Sequence, residues 1–191
     1  MANVKLLIAL GNPGPEYLRT RHNVGWWAAD ALAHAHGFPA WQAKHKGLVT
    51  KGRLAGEDFL LLKPQTFMNL SGESAQAAAA FYKIDPKDIW VLHDELDVPV
   101  GEIRHKIGGS DAGHNGLRSL TKHLGTGNYH RIRIGIGRPV HKSDVSNYVL
   151  SNPTASEELT LTESLSYLLE NLPNILEKPK ANLYKPEPLI S

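Results

Sequence analysis

Residues 4–23 read VKLLIALGNPGPEYLRTRHN and lead from a buried strand into a long polar loop. The first seven of these residues are almost entirely apolar, which is typical of a strand covered on both faces, and a helical pattern starts near Val24. Ligands of α/β proteins bind outside the carboxyl ends of such strands. The loop that carries Asn12 and His22 is therefore a candidate functional segment, although either residue could simply cap or turn the chain.

The composition indicates one folded domain and excludes several kinds of chemistry. Of the 191 residues, 41% are hydrophobic and 21% are charged, which fits a globular domain with a substantial core. The chain has no cysteine, so disulfide frameworks, thiolate zinc sites and cysteine nucleophiles are excluded. Neither a membrane-spanning apolar run nor a cleavable signal pattern is visible, and a cytoplasmic protein is expected.

Positive charge is concentrated in one segment of the chain. Residues 104–142 contain eight Lys or Arg against one acid, for a net charge of +7, whereas the rest of the chain has 13 bases and 18 acids. If these charges share a face, that face suits a polyanion such as a nucleic acid. The candidate phosphate contacts are Arg104, Lys106, Arg131 and Arg133, unless the charges are scattered over several faces.

Hydrophobic periodicity predicts alternating strands and helices. Strands are predicted over residues 47–54, 59–63, 89–92 and 131–137, and helices over residues 24–36, 117–124 and 152–172, with an alanine-rich helix ending before residue 85. Thr154 and Glu157 have the spacing of a capping box at the start of the last helix. We expect an α/β, single-domain, three-layer fold with a twisted mixed, mostly parallel sheet flanked by helices. This catalytic domain is expected to span residues 1–177, and a loosely held C-terminal tail to span residues 178–191.

A second polar cluster follows the most apolar strand, residues 89–92. If this strand runs parallel to residues 4–10, Asp94 and Asn12 emerge at the same edge of the sheet, and a carboxylate comes within reach of His22. The N-terminal end of the next helix disfavours a protonated imidazole. His22 is therefore expected to stay neutral and able to accept a proton.

Six short motifs follow one another through most of the chain. They are Gly11-Asn12-Pro13-Gly14, Thr20-Arg21-His22-Asn23, Phe67-Met68-Asn69-Leu70-Ser71-Gly72, His93-Asp94-Glu95-Leu96-Asp97, Gly113-His114-Asn115-Gly116 and Arg131-Ile132-Arg133-Ile134-Gly135-Ile136-Gly137. In order and spacing they resemble the bacterial peptidyl-tRNA hydrolase family, from Leu6 to about Leu150. One departure is Asp111, an acid in the glycine-rich loop that would face phosphate.

The resemblance implies a monomeric, cytoplasmic esterase that uses no metal and no cofactor. Such an enzyme cleaves the ester between a peptide, or an N-blocked aminoacyl group, and the 3′-terminal ribose of tRNA, which frees tRNA from prematurely released chains. By resemblance, His22 is the catalytic base, Asp94 supports it, and Asn12 is associated with selectivity for blocked substrates. The residues implied to contact the substrate are Tyr17, Phe67, Asn69 and Asn115.

The residues themselves are compatible with hydrolysis by activated water. No cysteine and no Gly-x-Ser-x-Gly elbow supplies a nucleophile, so a neutral His22 oriented by Asp94 is the economical base. The amides of Asn12, Asn69 and Asn115 are all candidate donors to a developing oxyanion, and the sequence does not distinguish them. The side-chain carbonyl of Asn12 is predicted to accept an amide N–H of a blocked substrate, so that Asn12→Asp would narrow the preference for such substrates.

Two other functions are compatible with parts of the sequence. A non-catalytic RNA-binding module would use the same basic segment and would not need His22. A metal-dependent hydrolase is suggested by the ten histidines, but no His-Glu-x-x-His spacing is present. Whether residues 138–150 form a mobile cover over the site is left open by the sequence.

Overall fold

The fold is organised by a sheet of eight strands in the computed structural model, which describes residues 3–187. The strands are β1 (Lys5–Ala9), β2 (Gln42–Lys44), β3 (Gly47–Leu54), β4 (Glu57–Pro64), β5 (Ile89–Glu95), β6 (Ile103–Ile107), β7 (His130–Gly135) and β8 (Asn182–Tyr184). They are hydrogen-bonded in the order β2-β3-β4-β1-β5-β7-β6-β8. The helices are α1 (Val24–Ala35), α2 (Ser71–Tyr82), α3 (Asn115–Leu124), α4 (Val145–Val149) and α5 (Ala155–Glu177).

The centre of the sheet is parallel and both of its edges are antiparallel. β1 lies between β4 and β5 and runs parallel to both, and β5 is parallel to β7. The other four pairings among the described residues are antiparallel. The predicted mixed α/β sheet is therefore confirmed, but the expectation of a mostly parallel sheet holds only for its centre. At one edge β2, β3 and β4 follow one another along the chain as antiparallel neighbours, as short connections allow. At the other edge α3 connects β6 to β7, and β8 follows α5.

Helices cover both faces of the sheet. Leu7 and Ala9 belong to the core that packs under α1 and α5, whereas Leu6 and Ile8 belong to the core that packs under α2 and α3. All four side chains are at most 1% exposed. Burial on both faces explains why residues 4–10 form a nearly continuous apolar run.

Helix α5 is longer than the sequence pattern predicts. Its N-terminus has the predicted capping box: Thr154 Oγ1 accepts from the Glu157 N–H, and the Glu157 carboxylate accepts from the Thr154 N–H. The helix continues past Pro173 because Leu172 and Ile175 are buried against the core. In the part of the chain that the structure describes, no helix is long and apolar enough to cross a membrane.

Part of the segment expected to be a loose tail belongs to the sheet. β8 pairs antiparallel with β6, and Tyr184 stacks on Tyr167 of α5 with ring centroids 4.6 Å apart. The expectation of a loosely held tail therefore does not apply to residues 182–184, since β8 covers the free edge of β6. Residues 188–191 of the expected tail lie outside the described residues.

Candidate active site

A pocket of about 380 Å³ lies where the loop after β1 meets the end of β5. Its lining includes six predicted site residues, which are Asn12, His22, Phe67, Asn69, Asp94 and Asn115. Residues 112–114 and helix α4 supply much of the remaining wall. The carboxyl ends of β1 and β5 are adjacent because these strands are parallel, so the location agrees with the general position of ligand sites in α/β sheets.

His22 and Asp94 form a direct hydrogen bond in this pocket. His22 lies in a 3-10 turn, Arg21–Asn23, immediately before α1, and Asp94 lies near the end of β5. The Nδ1 atom of His22 is 2.7 Å from Oδ2 of Asp94, and both side chains are buried. A carboxylate can only accept, so His22 donates through its Nδ1–H. Its Nε2 atom is then left unprotonated and can act as a base.

Each member of this pair changes the titration of the other. Burial by itself lowers the pKa of His22, but the negative charge of Asp94 and the hydrogen bond to it raise this pKa above its ordinary value. Burial also opposes ionisation of Asp94. The adjacent imidazoles of His22 and His114 nevertheless hold the pKa of that carboxyl well below its usual range. The site therefore contains a stable carboxylate beside an imidazole of increased basicity.

His114 was not among the predicted site residues, yet it makes the second hydrogen bond to Asp94. Its Nε2 is 2.9 Å from Oδ1 of Asp94, while its Nδ1 accepts from the N–H groups of Gly116 and Leu117. A ring that accepts at Nδ1 carries its proton on Nε2, so His114 donates to Asp94 through Nε2–H. The motif Gly113-His114-Asn115-Gly116 contained a signal for this role, because a polar residue just before a helix can cap it.

His93 lies beneath His114 and is a neutral core residue. Its ring is 1% exposed and packs edge-on against the ring of His114, with centroids 5.3 Å apart. The Nδ1–H of His93 donates to the backbone carbonyl of Asp94, at 2.8 Å. Burial, reinforced by nearby His114, lowers the pKa of His93 to about 3. His93 therefore packs against His114 and hydrogen-bonds the backbone of Asp94 without carrying charge at neutral pH.

Asn12 is buried and held by three hydrogen bonds. Its backbone N–H donates to Oδ1 of Asn23, and its backbone carbonyl accepts from Nδ2 of Asn23, each at 2.9 Å. The Asn23 amide is used across the loop in this way, and α1 has no side-chain cap. The Oδ1 atom of Asn12 accepts from the N–H of Met68 at 2.7 Å. The NH₂ of Asn12 makes no hydrogen bond within residues 3–187 and is available to a ligand, while its carbonyl oxygen already accepts one bond.

The remaining predicted substrate contacts lie on the rim of the pocket. Asn69 lies in the turn before α2 and Asn115 begins α3, and both are exposed. Phe67 is 56% exposed and lines the pocket. Tyr17 is absent from the pocket lining but packs edge-on against Phe67, with ring centroids 6.5 Å apart. The rim thus combines exposed amides with exposed Phe67, which packs against half-buried Tyr17.

Arg131, one of the four candidate phosphate contacts, is a buried structural residue. It is 1% exposed and donates to the carbonyls of Ser110, Gly109 and Gly127, at 2.7, 3.0 and 3.1 Å. A phosphate contact by Arg131 is therefore contradicted. The strict alternation along β7 places this arginine on the face away from the isoleucines, but the glycine-rich loop covers that face.

The other three candidates retain some exposure. Arg104 pairs with Glu102 at 3.3 Å, and Arg133 approaches Glu95 at 4.0 Å. Lys106 forms no ion pair within residues 3–187. Burial, together with the charge of nearby Arg133, lowers the pKa of Lys106. An anion bound beside Lys106 would relieve this repulsion, so Lys106 is the strongest of the candidates for a phosphate contact.

One group of side chains within the described residues has the spacing of metal ligands. His22, Asp94 and His114 each offer one ligand atom, and these atoms lie within 4.8 Å of one another. In the observed arrangement the two ring nitrogens donate to the Asp94 carboxylate, so a metal ion would have to displace both protons. The geometry is that of a hydrogen-bonded triad.

Comparison with known proteins identifies the family of the chain. The family model described as peptidyl-tRNA hydrolase matches residues 6–186. A curated peptidyl-tRNA hydrolase of Rhodospirillum centenum is 52% identical over 170 residues, covering 89% of this chain and 74% of the relative. One from Geotalea uraniireducens is 48% identical and covers 91% of this chain and 88% of its own length.

A solved structure has the same fold over nearly the whole chain. The crystal structure of peptidyl-tRNA hydrolase from Acinetobacter baumannii superposes with a TM-score of 0.86 at 40% identity, covering 92% of this chain and 89% of the other. Family model, relatives and structure agree with the motifs that converge on the pocket. The chain belongs to the peptidyl-tRNA hydrolase family.

Proposed function

We propose that the chain hydrolyses the ester bond between a peptide, or another N-blocked aminoacyl group, and the 3′-terminal ribose of tRNA. The observation that carries this proposal is the 2.7 Å hydrogen bond between His22 and Asp94 in the wall of an open pocket. Membership of the peptidyl-tRNA hydrolase family supports the same reaction. Its biological result is the recovery of tRNA from prematurely released chains.

In this proposal the base activates water and no protein nucleophile is needed. The Nε2 atom of His22 takes a proton from a water molecule, whose oxygen attacks the ester carbonyl carbon. When the tetrahedral intermediate collapses, the imidazolium returns the proton to the ribose oxygen and the acyl C–O bond breaks. The products are a free carboxylic acid and a free tRNA hydroxyl. Asp94 holds the ring in the reactive tautomer and stabilises the imidazolium.

Two amides on the rim are proposed to bind the reacting ester. Asn69 and Asn115 are exposed, line the pocket and lie beside the starts of α2 and α3. Their NH₂ groups donate to the ester carbonyl oxygen, where negative charge develops, and to the ribose. Loss of one such donor typically lowers turnover by about 10²–10³-fold.

Asn12 is proposed to select blocked substrates through its NH₂ group. Its carbonyl oxygen already accepts from the N–H of Met68, so the NH₂ donates to the carbonyl oxygen of the blocking acyl group. A free aminoacyl ester has no such carbonyl, and its ammonium would face a donor instead of an acceptor. The enzyme then prefers the blocked substrate, because the NH₂ of Asn12 has a hydrogen-bond partner in that complex and has none in the complex with a free aminoacyl ester.

The partner is proposed to be the acceptor stem and 3′ end of peptidyl-tRNA. Lys106, together with Arg104 and Arg133, offers positive charge for phosphates, and Phe67 with Tyr17 offers apolar surface for the peptide. As the resemblance implies, we propose a monomer that acts in the cytoplasm and uses no metal or cofactor.

The decisive test compares N-acetyl-aminoacyl-tRNA with free aminoacyl-tRNA as substrates. We expect rapid ester cleavage of the acetylated form only, unchanged by a metal chelator. His22→Ala should lower turnover by about 10³-fold while tRNA binding is retained. Tyr82→Phe, outside the pocket, is the matched control and should keep full activity.

Other outcomes would support other functions. Binding of tRNA without cleavage by the unmodified protein would support a non-catalytic RNA-binding module. Loss of turnover in chelator, restored by a divalent metal, would support a metal-dependent hydrolase at the triad of His22, Asp94 and His114.

A further inference from the structure

Arg21 precedes His22 in the 3-10 turn and is buried, with 7% of its surface exposed. Its guanidinium donates to the backbone carbonyl of Tyr148 at 3.0 Å and to the carboxylate of Glu157 at 2.8 Å. Its backbone N–H donates to the carbonyl of Ser151 at 3.0 Å. One residue therefore contacts the end of α4, the link after it and the start of α5.

The same guanidinium lies flat against an aromatic ring. Its central carbon is 3.9 Å from the centroid of Tyr148, which makes a cation–π contact. The hydroxyl of Tyr148 donates to the backbone carbonyl of Ile136, just beyond β7. Tyr148 is thus held from both ends, by the sheet and by Arg21.

Helix α4 forms one wall of the pocket. Val145, Ser146, Val149 and Leu150 all line it. This five-residue helix is too short to be stable alone, so its position depends on tertiary contacts. Arg21 supplies several of these contacts and is covalently attached to His22, which lines the same pocket.

We propose that Arg21 is a positioning residue for ester hydrolysis, which sets the distance between the His22 turn and the α4 wall. This inference rests on the proposed function and adds a role for a residue that touches neither substrate nor the reacting atoms. A buried guanidinium is costly unless its donors are satisfied. Here the donors are satisfied by two segments that must stay together for the pocket to keep its shape.

The proposed role requires the planar guanidinium group with its several N–H donors, and a positive charge alone is not sufficient. Arginine can stack on Tyr148 while its separate nitrogens reach a carbonyl and the Glu157 carboxylate. A lysine at position 21 would keep one ion pair but would lose the stacking and the second donor. Arg21→Lys should therefore weaken positioning without removing the charge.

Arg19 provides a matched control on the same loop. It forms the neighbouring ion pair, with Glu158 at 3.2 Å, but its side chain is 72% exposed and touches no part of α4. Exposed pairs of this kind contribute little to stability. Arg19→Ala therefore removes a similar charge from the same segment without disturbing the pocket.

The experiment measures kcat and KM with N-acetyl-aminoacyl-tRNA, and thermal unfolding, for the unmodified protein and for Arg21→Ala, Arg21→Lys and Arg19→Ala. We expect a fall in kcat of about a hundredfold for Arg21→Ala and about tenfold for Arg21→Lys, because small displacements of catalytic groups are costly. Arg19→Ala should stay within twofold. Guanidinium ion at tens of millimolar should restore part of the kcat of Arg21→Ala, whereas equal sodium chloride should not.

The outcomes separate this inference from the proposed function. An unmodified protein that fails to cleave acyl-tRNA refutes the function itself. If the unmodified protein is active and both Arg21→Lys and Arg21→Ala have the same kcat as it, the positioning role is refuted. The role is also refuted if Arg21→Ala folds but is inactive and guanidinium does not restore its kcat. If Arg21→Ala does not fold, the decision passes to Arg21→Lys, where full kcat would refute the role and a tenfold loss would support it.

Discussion

The Oδ1 atom of Asp94 lies 2.9 Å from Nε2 of His114, whereas His22 binds the other carboxylate oxygen, Oδ2. Since His114 also caps α3 through its Nδ1, the helix end determines which ring nitrogen carries the proton. The cap, the tautomer of His114 and the orientation of Asp94 therefore depend on one another. A change at the start of α3 is transmitted in this way to the base.

His114→Asn separates the two roles of this side chain. Asparagine is a good N-cap but is too short to reach Asp94, so stability should be nearly unchanged while kcat falls about tenfold. His114→Ala should show the same kcat and lose about 1 kcal/mol of unfolding free energy as well. Urea unfolding and steady-state kinetics check both values. Full activity of His114→Asn would show that the contact from His22 alone holds Asp94 in place.

The raised pKa of His22 predicts the pH dependence of turnover. Only the neutral ring can take a proton, so kcat/KM should increase with pH through an apparent pKa above 6.5. Asp94→Asn removes the charge that raises this pKa, so the rise should move to lower pH while the maximum falls about a thousandfold. Initial rates between pH 5 and 9 test this directly. An unmoved rise in Asp94→Asn would mean that another group is titrating.

Asn12→Asp tests selectivity for blocked substrates. The substitution replaces the NH₂ donor with a carboxylate oxygen, which repels an acyl carbonyl and attracts a free ammonium. The ratio of kcat/KM for N-acetylated over free aminoacyl-tRNA should fall by about tenfold or more. Asn12→Ser, which retains a donor, is the control and should fall less. Equal losses on both substrates would assign Asn12 to the ester carbonyl instead.

Substitution of Arg131 is expected to lower stability, whereas substitution of Lys106 is expected to weaken tRNA binding. Arg131→Met removes the donor from three backbone carbonyls and should lower the unfolding free energy by about 1–3 kcal/mol. Lys106→Ala should leave stability nearly unchanged but weaken tRNA binding and reduce its salt dependence by about one counterion. Urea unfolding and tRNA titrations at several salt concentrations distinguish them. A steep, unaltered salt dependence in Lys106→Ala would remove Lys106 from the interface.

A histidine pair outside the pocket makes stability depend on pH. Nε2 of His105 is 2.9 Å from Nδ1 of His130, and His130 stacks on Trp90 with centroids 3.8 Å apart. Burial and the neighbouring ring of His130 lower the pKa of His105 to about 4. Burial also lowers the pKa of His130. In the unfolded chain both titrate near 6.5, so the unfolded state binds more protons below that pH.

The unfolding free energy should therefore be greatest above about pH 6.5 and decrease as the pH falls toward 4. His105→Gln removes one titrating group and should reduce this loss by about 1–3 kcal/mol. His34→Gln, at an exposed position of α1, is the control. Urea unfolding at a series of pH values provides the measurement. Parallel stability curves for the unmodified protein and His105→Gln would exclude the pair as the cause.

Residues 4–10 and 89–92 show how much of the fold and the site can be predicted from the sequence. Their apolar runs, each followed by polar residues, predicted two buried strands. If the strands were parallel, Asp94 would come within reach of His22, and the structure has them parallel. Arg131 shows the limit of reasoning from the sequence, because the positive charge of residues 104–142 predicted an exposed arginine that contacts phosphate. The loop that buries it comes from residues 109, 110 and 127, and their approach is not encoded in the local pattern.

Periodicity and strand-end chemistry predicted the α/β class and the polar loops after β1 and β5, and the motifs predicted the roles of His22 and Asp94 by resemblance. Only the tertiary structure decided which group of the Asn12 amide is available to a ligand and that His114 donates to Asp94. It also decided that Arg131 is buried and that Arg21 contacts α4 and α5. The physical reason is that periodicity specifies which side of an element is buried. Hydrogen-bond partners come from segments distant in sequence, such as Met68 for Asn12, and they exist only once those segments are packed together.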